Sequence, residues 1–144
     1  MNHDTRVGSV MTPFPHAIDL EAPLAEARRK MTREQIRHLP VKRGDDLVGL
    51  LTDRTIKLVL GPYLDDPERE DHPRVRDACL FDLYTVEMTT PLGQVAAEMG
   101  RRRLGSALVT KAGRLAGIFT ANDACRILAE LLDHQPSPSD DEAA

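Results

Sequence analysis

The apolar positions of this chain fall into short blocks that switch between strand-like and helix-like spacing. His16-Ala17-Ile18-Asp19 reads as a short extended piece. Pro23 then opens a helix, at a position where a missing N–H costs nothing. Leu24, Ala27, Met31 and Ile36 mark its inner face, while Arg28, Arg29 and Lys30 fall outside. Two compact runs, HLPVK and LVGLL, flank Arg43-Gly44-Asp45-Asp46, the pattern of a β-hairpin. Thr52 or Asp53 caps a second helix carrying Ile56, Leu58, Val59 and Leu60, with Gly61-Pro62 as its stop.

The same order then returns. Leu83 to Glu87 is extended, and Thr90-Pro91 starts a helix through Leu92, Val95, Ala96 and Met99 toward Leu104. SALVT and LAGIF flank Lys111-Ala112-Gly113-Arg114, and a last helix runs from about Ala121 to Leu132. Gly117 stands 68 positions after Gly49, and at that one offset Val7 meets Val75, Pro23 meets Pro91, Met31 meets Met99, Val41 meets Val109 and Thr52 meets Thr120. The matches land on apolar and turn positions, so the chain is a duplication of one supersecondary unit. A unit of roughly 50 residues buries too little surface to be comfortable alone. Two such units can pack sheet to sheet about a pseudo-twofold axis, share one core and leave two equivalent clefts. Met31 and Met99 read as core.

Composition narrows the function classes. The 144 residues are 41% hydrophobic and 29% charged, enough for a core and a solvated surface. Net charge is −4 and aromatics are 3%, which disfavour nucleic acid as a partner. Cys79 and Cys125 lack metal-type spacing and read as reduced thiols of a cytoplasmic protein. No signal peptide or membrane span is expected. GPYLDDPEREDHPRV reads as an exposed connection, and HQPSPSDDEAA as a disordered acidic tail. No nucleophile triad, Walker loop or metal-ligand cluster appears, so no enzyme activity is expected.

The ordered set of motifs resembles the tandem CBS-domain pair, or Bateman module. It comprises Val10-Met11-Thr12-Pro13, the helix after Ala22-Pro23-Leu24, the strand His38-Leu39-Pro40-Val41 and a twice-written Gly-apolar-apolar-Thr turn into a helix. The resemblance implies an α+β fold of two pseudo-twofold-related CBS motifs, each a small mixed sheet with two helices on one face. The motifs would span 7–60 and 75–132, with a linker at 61–74 and the tail at 133–144. It also implies a stand-alone regulatory module that binds an adenosine-containing ligand (AMP, ADP, ATP or S-adenosylmethionine) between the motifs. Such modules usually pair as homodimers and signal to a protein partner, here unknown. No cofactor is required, and the nucleotide arrives with or without magnesium.

The two written phrases, GLLTDRTIK and GIFTANDAC, differ at one informative position: Thr55 stands where the other has Asp123. A helix N-terminus with a Thr hydroxyl favours phosphate. The resemblance makes Asp123 the ribose anchor, beside Thr120 and Asn122, with adenine against Val86, Ala107 and Leu108. The second cleft would use Ile18, His38, Leu39, Pro40, Thr52 and Thr55. Without a carboxylate there, that cleft is expected to be weaker by on the order of 2–4 kcal/mol. Against this stands a simpler reading, in which Thr52 and Asp123 merely cap their helices. His38 and Arg37 sit at a cleft edge, as rim residues or phosphate contacts. Arg101-Arg102-Arg103 ends a helix, as a solvated terminus, a phosphate clamp or a dimer contact. The alternative to a ligand sensor is a structural or protein-interaction module whose nucleotide sites have decayed.

Overall fold

The computed structural model describes residues 4–13, 15–64 and 71–134. A 3-10 turn at Val7–Ser9 leads into β1 (Thr12–Pro13). The first copy follows: β2 (Ile18–Asp19), α1 (Leu24–Glu34), β3 (His38–Arg43), β4 (Asp46–Thr52) and α2 (Asp53–Leu64). A short helix α3 (Val75–Ala78) precedes the second copy: β5 (Thr85–Glu87), α4 (Leu92–Arg102), β6 (Ser106–Lys111), β7 (Arg114–Thr120) and α5 (Ala121–Asp133). Residues 65–70 of the expected linker and 135–144 of the expected tail lie outside the described residues.

Each copy is a mixed sheet with two helices. In the first, β2 is parallel to β3 and β3 antiparallel to β4; in the second, β5, β6 and β7 repeat that order. The repeat holds to the residue. His38 pairs with Thr52 and Ser106 with Thr120, and both hairpins bulge at matching places, Val41/Lys42 and Val109/Thr110. The αL residues that end α1 and α4, Gln35 and Arg103, also correspond. A left-handed cap lets the last N–H groups fold back onto open carbonyls of the final turn. The hairpin turns differ. Ala112 and Gly113 both have positive φ, as a type I′ turn requires, whereas the first hairpin carries positive φ at Gly44.

The apolar residues collect in two clusters, one under each sheet, where the sequence suggested one shared core. Leu24, Ala27 and Met31 of α1 and Ile56 and Leu60 of α2 pack on Leu39, Val41 and Leu51. Val95 and Met99 of α4 and Ile127 of α5 pack on Ala107, Val109 and Phe119. Two helices are enough to cover a three-stranded face, so each copy closes its own interior. Ala96 is exposed, on the outer side of α4. The helix α2 runs on past Gly61-Pro62 to Leu64. Pro62 lies in its last turn, where it forfeits only one ladder bond.

What joins the copies is an exchange. Val7 is fully buried in the second cluster, and Val75 is fully buried in the first. Val7 and Gly8 donate to the carbonyls of Thr90 and Met88, both at 2.9 Å; Val75 and Arg76 donate to those of Ala22 and Leu20 at 2.9 and 3.0 Å. β1 adds to the second sheet against Gly117-Ile118, and Leu80 bridges to Leu50 of the first. Arg76 pairs with Glu21 across the same seam. The segment around Val75 is therefore not the exposed connection its charge suggested: Pro73 and Val75 are buried. Glycine is required at both crossings. A Cβ at Gly49 would overlap the Cys79 sulfur, and one at Gly117 the Met11 sulfur.

Candidate functional site

The two helix starts after β4 and β7 can be compared atom by atom. At α5, Thr120 Oγ1 accepts from the Asp123 N–H at 3.1 Å, and Asp123 Oδ2 accepts from the Thr120 N–H at 2.9 Å. This reciprocal cap satisfies two otherwise orphaned donors. The other Asp123 oxygen takes Arg126 at 3.2 Å, and the residue is only 5% exposed. At α2 a threonine does the same work. Thr55 N–H donates to Thr52 Oγ1, and Thr52 N–H to Thr55 Oγ1, both at 3.1 Å. The capping reading of Thr52 and Asp123 thus holds in the structure, and the changed letter preserves it.

Between the copies lies a cavity of about 510 Å³. The first copy supplies His38, Leu50, Thr52, Arg54, Thr55 and Leu58. Leu80, Leu83, Tyr84, Arg103, Ser106 and Leu108 are among the walls facing them. Leu108, grouped with Asp123 in the sequence, instead shares this cavity with Thr52 and Thr55. Its backbone is tied to Tyr84, on the side that faces the first copy. Thr120, Asn122 and Asp123 are not in these walls; Asn122 is exposed. Ile18 and Leu39 face the first core and Ala107 the second, Val86 packs against the second, and Pro40 is buried opposite Leu50.

The chemistry of the walls is mixed. Leucines make one side apolar. Tyr84 lies under Arg102, whose guanidinium carbon is 5.4 Å from the ring centre, a cation–π contact. Burial, and then the Arg37 charge, hold the His38 imidazole below the ordinary histidine range. Its Nε2 lies 2.8 Å from where a Cβ on Gly105 would stand, so only glycine admits the ring there. Ser106 is 7% exposed, and its Oγ is buried with no hydrogen-bond partner among the described residues. A buried hydroxyl left unpaired is costly and marks a place where something polar can complete the structure. The sequence reading singled out His38 but missed Ser106, its counterpart at the 68-residue offset, as well as Tyr84, Arg54 and Leu58.

A groove of about 680 Å³ lies on the outer side of the first copy, among Arg28, Gln35, Arg37, Lys57 and Leu60 of α1, α2 and the loop after α1. It is larger, but it belongs to one copy and contains no unpartnered buried polar atom among the described residues. The inter-copy cavity is the better candidate on chemistry. No cluster of three metal-ligating side chains occurs among the described residues, and no described helix is long and apolar enough to cross a membrane.

Comparison with known proteins fits the duplicated geometry. The CBS-domain family model matches twice, at residues 7–61 and 75–130. The chain belongs to the CBS-domain family. A CBS domain-containing protein of Dictyostelium discoideum is 26% identical over 141 residues, covering 92% of this chain and 97% of its own length. Among solved structures, CBSX2 in complex with AMP aligns with a TM-score of 0.75 at 21% identity, covering 88% of this chain and 98% of that one. The CBS pair of MJ0100, in complex with 5′-methylthioadenosine and S-adenosylmethionine, aligns at 0.72 and 21%, covering 86% and 99%. At these identities the likeness establishes the fold: a mixed α+β CBS pair.

Proposed function

We propose that this CBS pair is a regulatory module that binds an adenosine-containing ligand in the cavity between its copies and passes the occupancy to a partner protein. The observation that carries the reading is the inter-copy cavity with the buried, unpartnered Ser106 hydroxyl in its wall. Its volume falls within the range of small-molecule sites. Leu50, Leu83 and Leu104 offer apolar surface to a purine, and the Thr52/Thr55 cap stands at a helix N-terminus. CBS pairs of the same fold hold AMP in one case and S-adenosylmethionine in another, which supports this ligand class. The cavity lies on the side that the sequence ranked second, so the proposal places the main site at Thr52 and Thr55.

Signalling requires two packing states with different ligand affinity. Because both copies wall the cavity, a ligand that fits one relative setting better shifts the population toward it. Leu128, Leu131 and Leu132 stand exposed on α5 and suit a homodimeric or partner contact. A thermal-shift panel on protein stripped of prebound ligand tests the reading. A ligand at 100 times its Kd adds about 2.7 kcal/mol of stability. If adenosine, AMP, ADP, ATP and S-adenosylmethionine all leave the melting temperature unchanged at millimolar concentration, the ligand reading fails. The alternative, a structural interaction module, would then stand, favoured by the engagement of both Asp123 carboxylate oxygens within the chain.

A further inference from the structure

We infer that His38 is a pH-sensitive wedge in the seam between the copies: neutral, it lets them close on one another, and protonated, it drives them apart on the cavity side. His38 and Ser106 are counterparts at the 68-residue offset, each opening an interior strand opposite a threonine, Thr52 or Thr120. Both line the same cavity, so one side of the seam carries a titratable ring where the other carries a small hydroxyl. The ring sits on bare backbone of the opposite copy, with Nε2 only 2.8 Å from where a Gly105 Cβ would stand. Beside it, Leu108 is 1% exposed yet belongs to neither apolar cluster. The closed seam is what covers that leucine.

The surroundings suit only the neutral ring. No hydrogen bond or ion pair engages the imidazole among the described residues. Arg37 precedes it in the chain, Arg54 of α2 and Arg103 after α4 share its cavity walls, and Asp82 is the carboxylate among those walls. Asp53 is paired with Lys57 in the outer groove, and Arg102 lies over Tyr84 and near Glu98. A protonated ring is thus a fourth cation against one carboxylate, in a place shielded from water, and both effects disfavour it. The lowered titration of His38 agrees. Once the seam opens, water reaches the ring and its proton affinity returns toward that of free histidine. Acid therefore favours the open setting. The bias begins near about pH 6.5, grows as pH falls, and levels off below the closed-state value, where both settings hold the proton. Val7 and Val75, each buried in a cluster, keep the copies joined while the cavity side opens.

Hydroxyl-radical footprinting of the ligand-free full chain, read by mass spectrometry from about pH 7.5 to about pH 5, tests this. Without ligand, the outcome does not depend on what the cavity binds. One linked proton can raise the open fraction by up to about tenfold per pH unit, so labelling of Leu108 and Tyr84 should rise at least about twofold on acidification. Leu39 and Phe119, buried in the two clusters, should stay protected. In His38→Gln, the labelling of Leu108 and Tyr84 should not change with pH. In Gly105→Ala, the new methyl takes the place of the ring, so the His38 ring resonances should titrate closer to about pH 6.5 than in the parent. Labelling that ignores pH, that rises at Leu39 and Phe119 together with Leu108, or that rises equally in His38→Gln would overturn the wedge. So would a His38 titration that Gly105→Ala leaves unmoved.

Discussion

The crossing at Gly49 offers a quantitative test of how the copies are joined. A Cβ placed there overlaps the Cys79 sulfur and lies 3.0 Å from the Leu80 carbonyl oxygen. Neither neighbour moves freely. Leu80 and Leu50 exchange two backbone bonds of 2.9 Å, and Val75, four residues earlier than Cys79, is locked in the first core. Overpacking of this kind costs about 1–3 kcal/mol, and loosening one bridge bond adds roughly 0.5–1.5 kcal/mol. Gly49→Ala should therefore cost about 1.5–4.5 kcal/mol, read in urea unfolding as a lower midpoint at unchanged slope. Cys79→Ala alone should cost about 1 kcal/mol, the loss of a small half-buried thiol. Combined, the two changes should be less harmful than their sum by about 1 kcal/mol or more, because the new methyl occupies the space the sulfur leaves. Strict additivity, or a Gly49→Ala protein as stable as the parent, would refute the crossing as described.

Three further outcomes follow from the same geometry. Asp123→Ala should lower stability without any ligand by about 1–2 kcal/mol, since it removes the N-cap partner of Thr120 and the Arg126 pair; an unchanged melting temperature would contradict the capping role. Ala112→Asn should raise stability by roughly 0.5–1 kcal/mol, because Ala112 holds φ 51° in a turn that favours Asn-Gly; a lower midpoint in thermal unfolding would count against the type I′ assignment. The His38 imidazole titrates below its ordinary 6.5 in the folded chain, so below that pH the unfolded chain takes the proton first. Stability from neutral His38 is full above about pH 6.5 and declines as pH falls toward the folded value, and His38→Gln should flatten that slope in melting curves taken from about pH 5 to about pH 7.5.

The duplication was legible because it is written in local terms: turn residues, caps and apolar spacing. Each of these is set by neighbours in sequence, and the strand register obeys the same 68-residue offset throughout. The exchange of Val7 and Val75 was not legible. A single valine beside arginines gives no periodic signal, and its burial depends on a partner surface far away in the chain. The helix running through Pro62 escaped for a related reason. Proline penalises a helix locally, but near the end of α2 the loss is a single bond, with Leu60 packed in the core. In the candidate cavity, Thr52 and Thr55 were legible because they sit in a repeated phrase, and His38 because it opens the HLPVK strand. Arg103 was visible only as part of a basic helix end. Ser106 is an ordinary serine in sequence; its significance lies in being buried without a partner, a property of the packed copies. Asp123 shows how one residue type carries two readings: a carboxylate suited to a ribose also holds its own helix, through the Thr120 N–H and Arg126.

The central claim is that the ligand occupies the Thr52/Thr55 side of the pair. Titrating isotope-labelled protein with AMP and following backbone amide resonances tests it most directly. Shifts should concentrate at Thr55, Gly105 and Ser106, with Ala121, Asn122 and Asp123 little changed. Shifts confined to Ala121–Asp123, or a spectrum that AMP leaves untouched, would contradict it.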